Sequence, residues 1–410
     1  MRTLYTVLLR LLLPFVLARL WLRGRREPGY REGVGERFGV YRGEKPDKLV
    51  WVNAVSVGEA RAAAPLVRAL AARLPDHRIL VTCTTAAGRE TLKQLYGDSI
   101  LAAFLPYDYP EAVRAFLAHF SPRLGVLMET EIWPNLLAAC AARGVPVVLA
   151  NARLSEKSAR GYLRWRSLAE PAFGSLALAC AQSEADAARL RSVGARRVEV
   201  TGNLKFDVGP DPGQLAAGRA WRAALGRPVL LLASTREGEE NLLLREMPAE
   251  NNLLVLVVPR HPQRFDEVAS LAQSRRTRDP APAPEHRVYL GDTMGEMPFY
   301  YAACDVAVIG GSFAPLGGQN LIEALACGAP VVLGPSMFNF TEATRLALEA
   351  GAAIQAADAR SAVKRALELI RDDRQRRRMA DAGRKLCLAH RGATERHLAL
   401  IAKVTAPARG

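Results

Sequence analysis

Leu49-Val50-Trp51-Val52-Asn53-Ala54-Val55-Ser56-Val57-Gly58-Glu59 is the stretch on which the fold class turns. Residues 49–54 run without the apolar–polar alternation of a half-exposed strand, so they read as a strand covered on both faces. Gly58 permits a tight turn, and a helical pattern covers 59–73. Strand followed at once by helix is half of a parallel βα crossover.

The same pair of signals repeats outward from there. Strand-like runs lie at 79–83, 124–129, 146–151 and 176–181, with helical stretches such as 110–119 and 184–193 between them. After Lys205 the stretch 206–213 is a linker by its Pro and Gly content. Strand-like runs then resume at 228–233, 253–258, 305–309 and 330–333, and the chain reads as helix from Ser361 to near its end. The expectation is an α/β protein with two doubly wound, Rossmann-like domains facing across a cleft, ligands lying at the carboxyl ends of the strands. The boundaries expected are 1–26 for an N-terminal membrane-associated helix, 27–205 and 206–385 for the two domains, and 386–410 for a C-terminal helix and tail.

Composition narrows the function. Of 410 residues, 50% are hydrophobic and 24% charged, which excludes a largely disordered chain. Fifty-six Lys and Arg against 41 Asp and Glu leave a net charge of +15, which suits an anionic partner. No basic motif is interleaved with aromatics, so nucleic acid is not expected. The six cysteines are scattered with no CxxC pair and read as reduced core residues. The histidines lack metal-ligand spacing and no Asp-x-Asp occurs, so neither a metal nor a cofactor is expected. No GxxxxGK[ST] or GxGxxG is present either.

Residues 4–22 are mostly apolar but are interrupted by Arg10, Pro14 and Arg19, and Arg23, Arg25 and Arg26 follow. No small-residue cleavage site follows, against a signal peptide. A single-pass anchor and an interfacial helix with arginines reaching the headgroups both fit, and both put the arginines on the cytoplasmic side. A helix packed on its own protein is the plainer alternative.

The strand ends carry the chemistry. Glu59 opens a helix after the first strand, where acids also serve the helix dipole alone. Met128-Glu129-Thr130-Glu131-Ile132-Trp133-Pro134-Asn135 ends another, with two acids flanking a candidate N-cap threonine. Lys205 lies at the domain boundary. In the second half, Ser234-Thr235-Arg236-Glu237-Gly238-Glu239-Glu240, Pro259-Arg260-His261-Pro262, Gly291 to Glu296, Gly310-Gly311-Ser312-Phe313 and Gly317-Gly318-Gln319-Asn320-Leu321-Ile322-Glu323 follow in order. The N–H groups of such glycine turns can hold a phosphate, and Glu323 a ribose.

With Gly35-Glu36-Arg37-Phe38-Gly39, Pro106-Tyr107-Asp108, Asn151-Ala152-Arg153-Leu154-Ser155, Gly202-Asn203-Leu204-Lys205-Phe206-Asp207 and Phe338-Asn339-Phe340, these motifs span nearly the whole chain. In combination the chain resembles the 3-deoxy-D-manno-octulosonic acid (Kdo) transferases of lipid A biosynthesis. The resemblance implies a GT-B glycosyltransferase that inverts the anomeric centre of Kdo, with CMP-Kdo as donor and substrate, a lipid A precursor as acceptor, and no metal. It implies an enzyme on the cytoplasmic face of the inner membrane, in contact with anionic lipids. Glu59 would be the base, with Glu129 and Lys205 assisting the transition state. Donor contacts would fall on Pro259, Arg260, Met294, Gly295, Glu296, Asn320, Leu321, Ile322 and Glu323. The helix N-terminus would keep Glu59 ionised. Arg236 and Gln319 stand where the family pattern carries histidine, and the stretch 239–252 is shorter than the family's helix there. A GT-B enzyme using a UDP-sugar is the alternative these departures leave open.

Overall fold

The computed structural model describes residues 1–43, 45–248 and 252–405. The chain divides into two units, one of Met1–Val208 together with the segment from Gly392, the other of Gly209–Arg391.

In the first unit, β1 (Leu49–Asn53), β2 (Arg78–Cys83), β3 (Leu101–Phe104), β4 (Leu124–Met128), β5 (Val147–Ala152), β6 (Leu178–Ala181) and β7 (Val198–Val200) form one sheet of order β3-β2-β1-β4-β5-β6-β7. Every pairing is parallel. Strand alternation splits β1 between two cores: Leu49 and Trp51 join Phe116 and Leu127 on one face, while Val50 and Val52 join Leu66 and Val81 on the other. Both faces are covered, which is why the sequence shows unbroken apolar runs. Trp51 needs room across the sheet. Gly125, its register partner on β4, supplies it: a Cβ there would lie 3.0 Å from the indole. The indole Nε1 donates to Thr82 Oγ1 at 2.7 Å, so the one polar atom brought into this core is satisfied.

The second unit holds β8 (Val229–Thr235), β9 (Leu254–Pro259), β10 (Ser274–Arg275), β11 (Val288–Leu290), β12 (Val306–Ile309), β13 (Val331–Leu333) and β14 (Ala353–Gln355). They form a parallel sheet of order β10-β11-β9-β8-β12-β13-β14. Strand order reverses between β1 and β4 in one sheet and between β8 and β12 in the other. At such a switch point neighbouring crossovers leave in opposite directions and open a crevice at the strands' carboxyl ends.

Two boundaries differ from expectation. The first unit runs to Val208 rather than Lys205, because Leu204 and Phe206 are buried in it. The helical stretch after Ser361 is three helices, Ala359–Arg371, Asp373–Ala389 and Ala393–Thr405, and the last belongs to the first unit. Its Leu398 and Ile401 pack in the core of Val50 and Val52. The expected tail lies outside the described residues from 406 on.

The N-terminal run is two helices, Arg2–Leu11 and Leu13–Arg26, meeting at a bend of 50° rather than one expected helix. Pro14 sits in the first turn of the second helix, where its missing N–H and fixed φ start a helix instead of continuing one. No single helix here is long and apolar enough to cross a membrane; the bent pair together is, by length and composition.

Candidate active site

Glu59 is placed by a helix start. Ser56 caps the helix Val57–Arg73, accepting the Glu59 N–H at 3.4 Å. The Glu59 carboxylate folds back, Oε2 accepting the Val55 N–H at 2.9 Å and Oε1 facing Ser56 Oγ at 3.5 Å. The carboxylate thus takes the N–H of the residue before the N-cap rather than that of Ser56 itself, a variant of the capping box. Capping alone would leave the acid ionised, as expected from the sequence. Instead its pKa rises from 4.5 to about 8. Burial is the main cause and the charge of Glu129 the next, and together they outweigh the Val55 N–H and Lys205. The expectation that the helix N-terminus keeps Glu59 ionised is therefore corrected: desolvation beats the dipole.

Glu129 stands immediately after β4 with φ +57°, a left-handed conformation rare for a residue with a side chain. Such a residue stores about 1–3 kcal/mol that its surroundings must hold. Its N–H donates to Ala150 O at 2.9 Å. Its Oε1 takes a hydrogen bond from Lys205 Nζ at 2.9 Å, the two side chains being 16% and 19% exposed. Burial pushes the Glu129 carboxyl up, but Lys205 and then Arg153 pull it below the usual range. Glu131 is raised by burial, although Trp133 Nε1 donates to it at 2.9 Å. Thr130 does not cap a helix; the helix is Pro134–Ala142 and begins after Trp133. The first unit thus brings Glu59, Glu129 and Lys205 together at the β1/β4 switch point. One carboxyl holds its proton near neutrality, and the other is held ionised by a lysine.

In the second unit, Arg236 follows β8 and its Nη1 lies 2.8 Å from His261 Nε2. Arg260, after β9, donates from Nε to Gln319 Oε1 at 3.2 Å. His261 is held below its usual pKa by burial first and then by Arg236, Arg260 and Arg264. The acids here are matched. Glu240 takes two bonds from Arg264 (2.7 and 3.0 Å) and one from Thr235. Glu296 takes two from Arg276 and one from Thr293 Oγ1. Glu239 accepts the backbone N–H groups of Arg236, Gly311 and Phe313, tying the turn after β8 to the turn after β12.

Several expected donor contacts change accordingly. Leu321 and Ile322 are core residues at 0% and 1% exposure, so only their backbone can reach a ligand. Pro259 is buried as the last residue of β9. Gly311 and Phe313 donate to Glu239, and Gly317, Gly318 and Gln319 donate to Ser336 Oγ, Gly311 O and Gly310 O. These turns therefore do not offer the open N–H cradle expected of them. Asn320 caps the seven-residue helix Leu321–Cys327, and Glu323 is in its first turn. Met294 is 52% exposed, beside Gly295 at φ +83°. The short helix at 239–252 is Glu239–Leu244; residues 249–251 lie outside the described part.

No role for Glu239, Asp108, Asn151 or His397 was legible in the sequence. The first three stood inside quoted motifs, while His397 had no local signal. Asp108 accepts Asn135 N–H, Leu136 N–H and Tyr5 Oη–H at 3.0, 2.8 and 3.1 Å, and so joins the N-terminal helix to the helix that follows the acids. Burial still lifts its pKa to about 6.

Two doubly wound parallel sheets of this order make the GT-B fold. Anabaena HepE in complex with UDP is similar in fold, with a TM-score of 0.60 over 87% of this chain and 99% of its own at 17% identity. So is a Rickettsia africae glycosyltransferase, at 0.60 over 88% and 99% with 12% identity. Residues 32–208 match the 3-deoxy-D-manno-octulosonic-acid transferase (kdotransferase) family, and residues 266–386 match glycosyl transferases group 1. The 3-deoxy-D-manno-octulosonic acid transferase of Bordetella pertussis is 49% identical over 97% of this chain and 98% of its own length. That of Haemophilus influenzae is 35% identical over 98% of each. The chain belongs to the 3-deoxy-D-manno-octulosonic acid transferase family.

Proposed function

We propose that this enzyme transfers Kdo from CMP-Kdo to a hydroxyl of a lipid A precursor, inverting the anomeric centre, at the cytoplasmic face of the inner membrane. The observation that carries the reading is Glu59, with a pKa of about 8 beside the Glu129–Lys205 pair. A base with a pKa close to the working pH is both available and strong. The ionised Glu59 takes the acceptor hydroxyl proton as the oxygen bonds to the anomeric carbon. The bond to the CMP phosphate breaks, and its electron pair leaves with the phosphate. Lys205, held by Glu129, is suited to the charge that develops on leaving. Donor binding falls to Arg260, Met294, Gly295, Asn320 and Glu323, with Glu296 holding Arg276.

The lipid side rests on the N-terminal helices. Thr3, Thr6, Val7 and Arg10 share one face of Arg2–Leu11 by helical spacing, and that face borders a groove of about 470 Å³. Arg2, Arg114 and Arg143 also line it. Leu4, Leu8, Leu11 and Phe15 are 50%, 50%, 67% and 72% exposed. Apolar side chains beside a basic groove suit an anionic interface, where each basic residue contributes about 1 kcal/mol.

Incubation with CMP-Kdo and a tetra-acylated lipid A precursor, with products resolved by mass, tests the reaction. A product heavier by Kdo is expected. Transfer from a UDP-sugar with none from CMP-Kdo would overturn the donor. Flotation of the full chain with anionic and with neutral vesicles tests the membrane reading, which fails if the protein floats with neither.

A further inference from the structure

Glu129 and Lys205 come from different parts of the chain, β4's end and the turn Leu204–Asp207, and both are fixed by the end of β5. Ala150 O accepts the Glu129 N–H. Next to it, Asn151 is fully buried with φ +53°. Its Oδ1 accepts the Leu204 N–H at 2.9 Å. Its carbonyl accepts Gln182 Nε2 at 2.9 Å, and Gln182 Oε1 in turn accepts Asn203 Nδ2 at 3.0 Å. Asn203 Oδ1 accepts the Lys205 N–H at 3.0 Å. The backbone of Leu204 and Lys205 is thus suspended from Asn151. Asn151 Nδ2 finds no acceptor among the described residues, so this side chain is present for its oxygen.

Asn151 is itself held from the far end of the chain. Its N–H donates to His397 Nε2 at 3.0 Å, and His397 Nδ1 faces Ala393 O at 2.7 Å, which fixes Nε2 as the acceptor. Asp207, two residues after Lys205, accepts the N–H groups of Gly392 and Thr394 at 2.7 and 2.6 Å. The returning helix is therefore docked on both sides of the lysine turn.

We infer that Asn151, held by His397, is the positioning residue that sets Lys205 against Glu129 and so keeps Glu129 ionised for the reaction. The inference rests on the Kdo-transfer reading for the use of the pair, but not for its geometry. Without the Asn151 amide the Leu204–Lys205 backbone loses its tether, Nζ leaves Oε1, and a buried Glu129 without its cation takes up a proton. The charge that raises Glu59 then disappears, so the Glu59 pKa falls.

Asn151→Gly removes the amide while tolerating the left-handed φ. Three readouts follow it in the full-length enzyme: the melting temperature, the CMP affinity and the pH profile of single-turnover transfer. CMP affinity should stay close to wild type, the melting temperature should fall as the Glu129–Lys205 pair is lost, turnover should fall by roughly 10- to 100-fold, and the midpoint of the activity rise should move to lower pH. Carboxyl carbon-13 NMR of Glu129 should show its pKa raised, and this holds even if the assumed donor is wrong. If Asn151→Gly does not fold, His397→Gln, which can still offer an acceptor, should behave as wild type while His397→Leu shows the shifts. An unchanged pH profile and Glu129 titration, whatever the melting temperature, would overturn the inference.

Discussion

The two switch points handle charge in opposite ways. In the first unit burial, and then the charge of Glu129, leaves a proton on Glu59, while Lys205 and Arg153 hold Glu129 ionised. In the second unit Glu239, Glu240 and Glu296 each have guanidinium or backbone N–H partners. Arg236 lies against His261, and Arg260 donates to Gln319. In the proposed reaction the first would move a proton and the second hold the anionic donor. A glycosyl transfer with a phosphate leaving group requires both.

The contrast is broken most severely at Glu59. Glu59→Gln keeps the shape of the cap and removes the base. It should fold, bind CMP as wild type, and lose turnover by roughly 10²–10⁴. If capping were its whole role, the variant would cost at most about 1 kcal/mol of stability and little activity. Single-turnover transfer beside a CMP titration decides, and retention of more than about a tenth of wild-type turnover defeats the base assignment. Lys205→Ala comes next. It leaves Glu129 buried without its cation, which should cost about 3 kcal/mol in a melting or denaturant experiment and lower turnover as well.

What the sequence made legible follows from these same interactions. β1, β4, β8 and β9 were readable because central parallel strands are apolar on both faces. β3, β7, β10 and β14 were not: they lie at sheet edges, are two to four residues long, and Glu199 and Val200 in β7 are exposed. Glu59, Glu129 and Lys205 were visible as polar residues at strand ends, with the resemblance singling them out. Their protonation was not, because desolvation depends on everything packed around them. Nor were the left-handed Glu129, Asn151 and Ser234, since only glycine announces such a backbone in sequence. His397 was beyond reach because its partner is 246 residues away.

A milder test sharpens the comparison through pH. Turnover should rise with pH through about 8, the Glu59 value, by roughly tenfold between pH 7 and 9 as the base loses its proton. Stability should run the other way. The raised pKa contributes stability that is complete below 4.5 and is lost as pH rises through about 8. Glu59→Gln should therefore gain in melting temperature over wild type at pH 9 and not at pH 4. Parallel melting curves at the two values check it, and an equal difference at both would mean Glu59 titrates as an ordinary exposed acid.

The smallest effect is expected on the anion side, at Arg236. An arginine keeps its charge at every working pH, whereas a histidine in its place titrates near 6.5. Arg236→His should leave the fold and the Glu59 profile intact. Donor binding should acquire an acid-side pH dependence. The variant would bind CMP-Kdo nearly as wild type below pH 6, where the new histidine is charged. Above pH 7.5 it would bind about fivefold more weakly, roughly 1 kcal/mol for one partly exposed charge. Wild type should stay flat over that range. His261 provides a second readout: it is held low by burial and then by Arg236, so the substitution should let its pKa rise toward the ordinary value in a proton NMR titration. A raised His261 pKa with an unchanged donor profile would confine Arg236 to its histidine neighbour, and the anion site would then rest on Arg260 and its Gln319 contact.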